Sequence, residues 1–180
     1  PAMSWGVSLA RNGAVMAQDV LNPTGALSAF LFILALTGTP LRYVWPRAGF
    51  TVWLLRNRRY LGVASFGYAL LHTLFYLIDA GSLSKVVSQL PMLEIWTGWL
   101  SLLIMFPLAF TSSDAAVRKL RRRWKPLQRW AYAAAVLALL HALSLNNWDD
   151  PWEPMIVSAP LFILQILRVK RTLSMRRTRV

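Results

Sequence analysis

LQRWAYAAAVLALLHALSL, residues 127–145, is the stretch on which the reading of the chain turns. An α-helix rises about 1.5 Å per residue, so a hydrocarbon core of about 30 Å asks for roughly 20 predominantly apolar residues. This run supplies them, and the most basic part of the chain, RKLRRRWK at 118–125, comes just before it. The spacing predicts a membrane helix entered from the cytoplasmic face and carrying His141, one of only two histidines. The other, His72, lies in a second such run, YLGVASFGYALLHTLFYLI at 60–78, also entered from a basic flank. Counted from Leu127 and Tyr60, the two imidazoles lie about 21 and about 18 Å along their helices. Two histidines at nearly equal depth, on helices crossing in the same direction, suit the two axial positions of one haem iron.

Composition agrees with a membrane setting. The 180 residues are 56% hydrophobic and 15% charged, with a mean hydropathy of +0.44. Soluble domains carry about 25% charged residues. The net charge of +13 sits in short clusters between apolar runs rather than over one soluble face, which excludes a nucleic-acid partner. With no cysteine, the chain forms no disulfide, thiolate iron–sulfur site or thiol nucleophile. Two histidines and seven scattered acids give no credible zinc or di-iron spacing. There is neither a dinucleotide-binding glycine fingerprint nor a soluble domain, so nicotinamide or flavin chemistry would come from elsewhere.

Read in order, residues 1–20 hold Arg11 and Asp19 between short apolar pieces and are expected to lie at the interface or to belong to a truncated upstream helix. Residues 21–170 form the transmembrane domain, and 171–180 a basic cytoplasmic tail. The first span is expected over TGALSAFLFILALTGTPL at 24–41, ended by Gly38 and Pro40. The His72 helix follows, then a weakly charged loop from Asp79 to Pro91. LEIWTGWLSLLIMFPLAF at 93–110 is the next span, with Pro107 expected to loosen its last turn. The His141 helix comes next, and a last span runs from about Met155 to Leu167, interrupted by Pro160.

The basic residues orient this all-α bundle of about five spans. Eighteen of the twenty lie in the loops at 42–59 and 118–129 and in the tail from Arg168, while Arg11 and Lys85 stand with most of the acids on the other side. The positive-inside rule then places the N-terminus in the periplasm, the C-terminus in the cytoplasm and both histidines in the outer leaflet of a bacterial inner membrane. Trp45, Trp53, Trp124 and Trp130 fall near the inner ends, and Trp96, Trp148 and Trp152 near the outer ones. The basic clusters serve topology first, with anionic membrane lipids as their natural contacts.

Each histidine has a plainer reading, donation to a neighbouring carbonyl inside the bundle. Paired, they read as a site, because ionisable groups are costly within a membrane. Nδ1–H donation to a carbonyl one turn earlier, near Tyr68 and Leu137, would orient each ring and leave Nε2 free for a metal. Small residues surround both: Ser65, Gly67 and Ala69 before His72, and Ala134, Ala138 and Ala142 around His141. They leave room beside a flat macrocycle or allow helices to pack closely.

Several short motifs, in this order, give the chain a family resemblance. They are Thr24-Gly25, Thr39-Pro40-Leu41, RRYLG at 58–62, ALLH ending at His72, LAFTS at 108–112 and RRWKPLQRWAY at 122–132. Over roughly residues 20–145 the chain resembles the MsrQ (YedZ) family of haem-binding membrane subunits, within the ferric reductase-like transmembrane superfamily. The resemblance implies a six-helix bundle with b-type haem. It implies electrons drawn from quinone or a cytoplasmic flavin reductase and passed to a periplasmic molybdenum-cofactor partner. Family members usually carry a further histidine where this chain has Gln128, and often one before the Thr-Gly pair, where it has Asn22-Pro23. About 20 Å of helix separates Gln128 from His141, so those two positions serve different sites. The expectation is therefore one haem b per chain, held by His72 and His141, in an electron-transfer subunit with a periplasmic redox partner. The alternative is an accessory subunit of a larger membrane complex that keeps the scaffold with little or no redox role. A transporter or channel is disfavoured, since no span carries a buried acid or a strongly broken helix at mid-membrane.

Overall fold

The computed structural model describes the backbone of residues 2–145 and 152–177, and the side chains of 20–145, 152 and 154–170. The described residues are helical throughout, apart from short connections. Helix α1 spans Ala2–Val44, α2 Gly49–Ala80, α3 Leu83–Gln89, α4 Leu93–Phe110 and α5 Asp114–Leu120. A 3-10 turn at Arg121–Arg123 leads into α6 at Trp124–Gln128, followed by α7 at Ala131–Ser144 and α8 at Trp152–Arg177. Three stretches are long and apolar enough to cross a membrane: Val20–Val44, Gly49–Ala80 and Leu93–Phe110. Ala131–Ser144 is apolar but shorter. Among the described residues the chain is thus an all-α, multi-pass helical bundle with at least three clear spans.

Several element boundaries differ from the sequence reading: α1 already runs from Ala2, α2 begins at Gly49, α3 occupies the expected loop at 79–91 and α8 spans Trp152–Arg177, while two further differences fall at prolines. The first span does not stop at Pro40; α1 runs on to Val44 with Pro23 and Pro40 inside it. A helical proline forfeits one backbone hydrogen bond and crowds the carbonyl four residues earlier. At Pro40 the residue is fully buried, so packing against neighbours holds the turn. The predicted helix from Leu127 starts instead at Ala131. After Pro126 the chain tightens into i→i+3 bonds, with Arg129 N–H donating to Pro126 O at 3.2 Å and Trp130 N–H to Leu127 O at 3.1 Å.

Pro107 costs α4 one backbone donor, and side chains then cover the carbonyls of its last turn. Thr111 Oγ1 donates to Pro107 O at 2.6 Å, Ser112 Oγ to Leu108 O at 2.7 Å, and Gln128 Nε2 also reaches Leu108 O at 3.1 Å. Exposed carbonyls at a helix end need such partners.

Packing divides the bundle into two helix pairs, α1 against α2 and α4 against α7, with α8 laid along α1 and α7. Phe32, Phe66, Met105 and Ala134, one residue from each of the four paired helices, make the central core. Lipid is as apolar as leucine, so close contact and hydrogen bonds hold such helices together rather than hydrophobic burial. Ser65 and Ala134 are fully buried in the two seams. Small side chains there let the backbones approach, which fits the close-packing reading of these residues; Gly67, by contrast, faces open space.

The loops gather by charge. At one end Arg59 pairs with Asp114 at 2.6 Å and donates to Ser112 O at 3.3 Å, while Trp124 Nε1 donates to Thr111 O at 2.9 Å. This is the basic end. At the other, Tyr76 donates to Gln89 at 2.8 Å, tying α3 onto α2.

Candidate functional site

His72 belongs to the last third of α2 and His141 to the last turn of α7, both near the end opposite the basic loops. Their rings meet. The centroids lie 6.1 Å apart and the planes stand at 81° to one another. Each ring is anchored by Nδ1: His72 Nδ1 lies 2.9 Å from Leu21 O, and His141 Nδ1 bonds Glu94 O. A carbonyl only accepts, so Nδ1 carries a proton in both rings, and a neutral imidazole held this way has its lone pair on Nε2.

The anchors differ from those expected one turn earlier on the same helices, near Tyr68 and Leu137. They come from the partner helices, α1 and α4. Leu21 O and Glu94 O are themselves helical carbonyls, four residues before Gly25 and Gly98, and a carbonyl has a second lone pair to offer. A carbonyl across a seam can be reached only where the neighbouring backbone is bare, and glycine provides that. A Cβ at Gly25 would sit 2.9 Å from His72 Nδ1, and one at Gly98 would sit 2.9 Å from His141 Nδ1. Such separations are not tolerated, so each imidazole lies directly on a glycine. Thr24 and Thr97, beside those glycines, fold their hydroxyls back onto the same carbonyls, Leu21 O at 2.9 Å and Glu94 O at 3.3 Å.

Were a metal bound between the two rings, His72 and His141 are the residues that would hold it. A metal–imidazole bond is about 2 Å and a ring centre lies about 1 Å behind its nitrogen, so two axial imidazoles on one ion place their centroids roughly 6 Å apart. The observed separation matches. Among the described residues no three of His, Cys, Asp or Glu gather as a metal site. A haem needs only two protein ligands, its macrocycle providing the other four nitrogens, so the pair fits that group better than a bare ion.

Gln128 lies away from the histidines, at the basic end. Its amide is committed to Leu108 O and lies 3.4 Å from Thr111 Oγ1. It borders a cleft of about 130 Å³ floored by Phe32 and Met105 and rimmed by Arg58, Arg59, Ser112 and Tyr132. Asn22 and Pro23 are exposed on α1.

The glycines, threonines and anchoring carbonyls are the site residues that sequence reasoning passed over at the second histidine. The available signal was the Thr-Gly pair, which stands at 24–25, 37–38 and 97–98 and meets a histidine at the first and the last of these.

The fold is that of a multi-pass helical membrane protein in which two part-buried imidazoles meet between two helix pairs. Residues 17–139 match the family described as the ferric reductase like transmembrane component, and the chain belongs to that family. It is similar to the protein-methionine-sulfoxide reductase heme-binding subunit MsrQ of Brucella ovis, Brucella suis and Brucella melitensis. Each is 39% identical over 145 residues, which cover 77% of this chain and 62% of the relative. The chain therefore matches less than two thirds of these relatives' length. No solved structure matches it.

Proposed function

We propose that this chain is a b-type cytochrome-like membrane subunit that passes single electrons through one haem held by His72 and His141. The observation that carries the reading is the 6.1 Å separation of the two rings, each with Nδ1 tied to a carbonyl. A haem ligated on both faces has no open position for oxygen or substrate and exchanges electrons only. The chain's own part is to present two Nε2 lone pairs at fixed spacing, hold both tautomers through Leu21 O and Glu94 O, and keep bulk away with Gly25 and Gly98. The haem-binding role named for the relatives supports the same reading.

Gln128 sets the stoichiometry. Its amide is spent on backbone and hydroxyl oxygens, and glutamine is a poor haem ligand, so the purified protein should carry one haem per chain. The pyridine haemochrome ratio measures this; a value near two would overturn the single-site reading, because both histidines would already be used.

In this reading five spans cross the membrane, with the N-terminus periplasmic, the basic end cytoplasmic and the histidines in the outer leaflet. The electron acceptor is then a periplasmic redox protein or a larger membrane complex, and the cleft beside Gln128 faces the side from which a quinone would deliver electrons. Ser82 and Ser113 are exposed at opposite ends of the bundle. Cysteines placed there should react with an impermeant maleimide from opposite sides of the membrane, Ser82→Cys in intact cells and Ser113→Cys only after lysis. Labelling of both from one side would overturn the orientation.

A further inference from the structure

The two helix pairs carry the same device in the same register. On α1 and α4, Leu21, Thr24, Gly25, Ser28 and Phe32 correspond to Glu94, Thr97, Gly98, Ser101 and Met105, each pair 73 positions apart. Ser65 and His72 on α2 correspond to Ala134 and His141 on α7, and Arg59 on α2 to Gln128 at the end of α6, each pair 69 apart. The correspondence extends to bonding. His72 reaches Leu21 O and His141 reaches Glu94 O, in both cases the carbonyl four residues before the glycine. Ser28 Oγ donates to Ser65 O and Ser101 Oγ to Ala134 O, both at 2.9 Å, and in both cases the acceptor lies seven residues before the histidine. Thr24 and Thr97 donate to Val20 O at 2.8 Å and Leu93 O at 2.6 Å, with the carbonyls that receive the histidines as second, longer partners. Cross-contacts follow the same exchange, α2 touching α4 as α7 touches α1. Sequence directions agree too, since the glycine helices run one way and the histidine helices the other.

We infer that α1–α2 and α4–α7 are equivalent halves related by a local twofold axis between the histidines, and that Gly25 with Ser28 and Gly98 with Ser101 are paired positioning residues that set the two imidazole planes. The inference rests on the haem reading above for its consequence, but its geometric content concerns this chain alone. Each serine pins the register of a histidine helix two turns below the ring, a displacement of about 10 Å along the axis. Each glycine lets the ring rest on bare backbone so that Nδ1 meets its carbonyl. Because the anchors are on different helix pairs, the ring planes are fixed independently, and they stand at 81°. Ligand planes held close to perpendicular leave the iron d orbitals nearly degenerate, which gives a strongly anisotropic low-spin EPR signal rather than a rhombic one.

The test uses the full chain with Gly25→Ala and Gly98→Ala, separately, and Gly67→Ala as control, since nothing lies within 4 Å of a Cβ there. Either alanine should displace its ring, replace the anisotropic signal by a rhombic or high-spin one and lower haem retention at least threefold; the control should match the wild type. Ser28→Ala and Ser101→Ala, which add no bulk, guard against variants that fail to fold and should shift the EPR signal in the same direction with haem content kept. In haem-free protein, imidazole ¹⁵N shifts should report the Nδ1–H tautomer for both histidines in the wild type and a tautomer mixture at the matching histidine in each glycine variant. Unchanged EPR together with unchanged ¹⁵N shifts in both glycine variants would overturn the inference. A wild type without haem whose ¹⁵N shifts still respond to the alanines would overturn the haem reading and leave the positioning arrangement standing.

Discussion

His72→Ala and His141→Ala should each abolish the same six-coordinate low-spin haem spectrum, and the double variant should be no worse than either single one. The expectation follows from the proposed sharing of one iron, for which the 6.1 Å between ring centroids is about the spacing that two imidazoles on a single ion would need. Residues that act as a unit give non-additive losses, whereas two independent sites would lose signal in two separable halves. With His72 removed, His141 stays tied to Glu94 O and presents one lone pair, so any haem that remains becomes five-coordinate and high-spin. The low-spin absorption of purified protein should fall by more than tenfold in each variant. A His72→Ala protein that kept a full six-coordinate spectrum would defeat the shared-iron reading. The histidines would then be structural donors to Leu21 O and Glu94 O, the plainer role that their hydrogen bonds alone would equally satisfy.

How far the sequence carried this site depends on which kind of signal each part leaves. Apolar run length gave the spans at 24–41, 60–78 and 93–110, because the bilayer imposes a length that local sequence must meet. The approach of His72 to His141 was legible for the same reason: two helices entered from basic flanks carry their residues to a common depth. The start of α7 was not, since the i→i+3 bonds of Arg129 and Trp130 interrupt the helix inside a segment whose composition is uniformly helical. The anchors Leu21 O and Glu94 O were illegible from the histidine helices alone. Which backbone a ring meets is decided by tertiary packing, and the only trace in sequence is a glycine on another helix. Thr24-Gly25 was visible as a family motif, while Thr97-Gly98 gains its meaning once α4 is seen to occupy, beside α7, the place α1 occupies beside α2.

The seam between α4 and α7 is the part of the scaffold most exposed to a single substitution, and Ala134→Leu should break it. Ala134 has no accessible surface, its carbonyl receives Ser101 Oγ at 2.9 Å, and it meets Phe32, Phe66 and Met105 in the central core. Three added carbons have no space to enter, so the helices must part. Overpacking of this kind costs about 1–3 kcal/mol in a well-packed core. In lipid the larger side chain recovers little of that through burial, because the surrounding chains are equally apolar. Separation of the seam also stretches the Ser101 bond and, two turns on, moves His141 away from Glu94 O and from His72. Haem release and helix dissociation should therefore shift together to lower temperature when followed by absorbance and circular dichroism in one detergent preparation. Val136→Leu is the comparison: Val136 is 48% exposed on the same helix, and the change there should stay within about 0.5 kcal/mol. If Ala134→Leu held its haem to the same temperature as Val136→Leu, close approach of α4 and α7 would not be what keeps His141 in place.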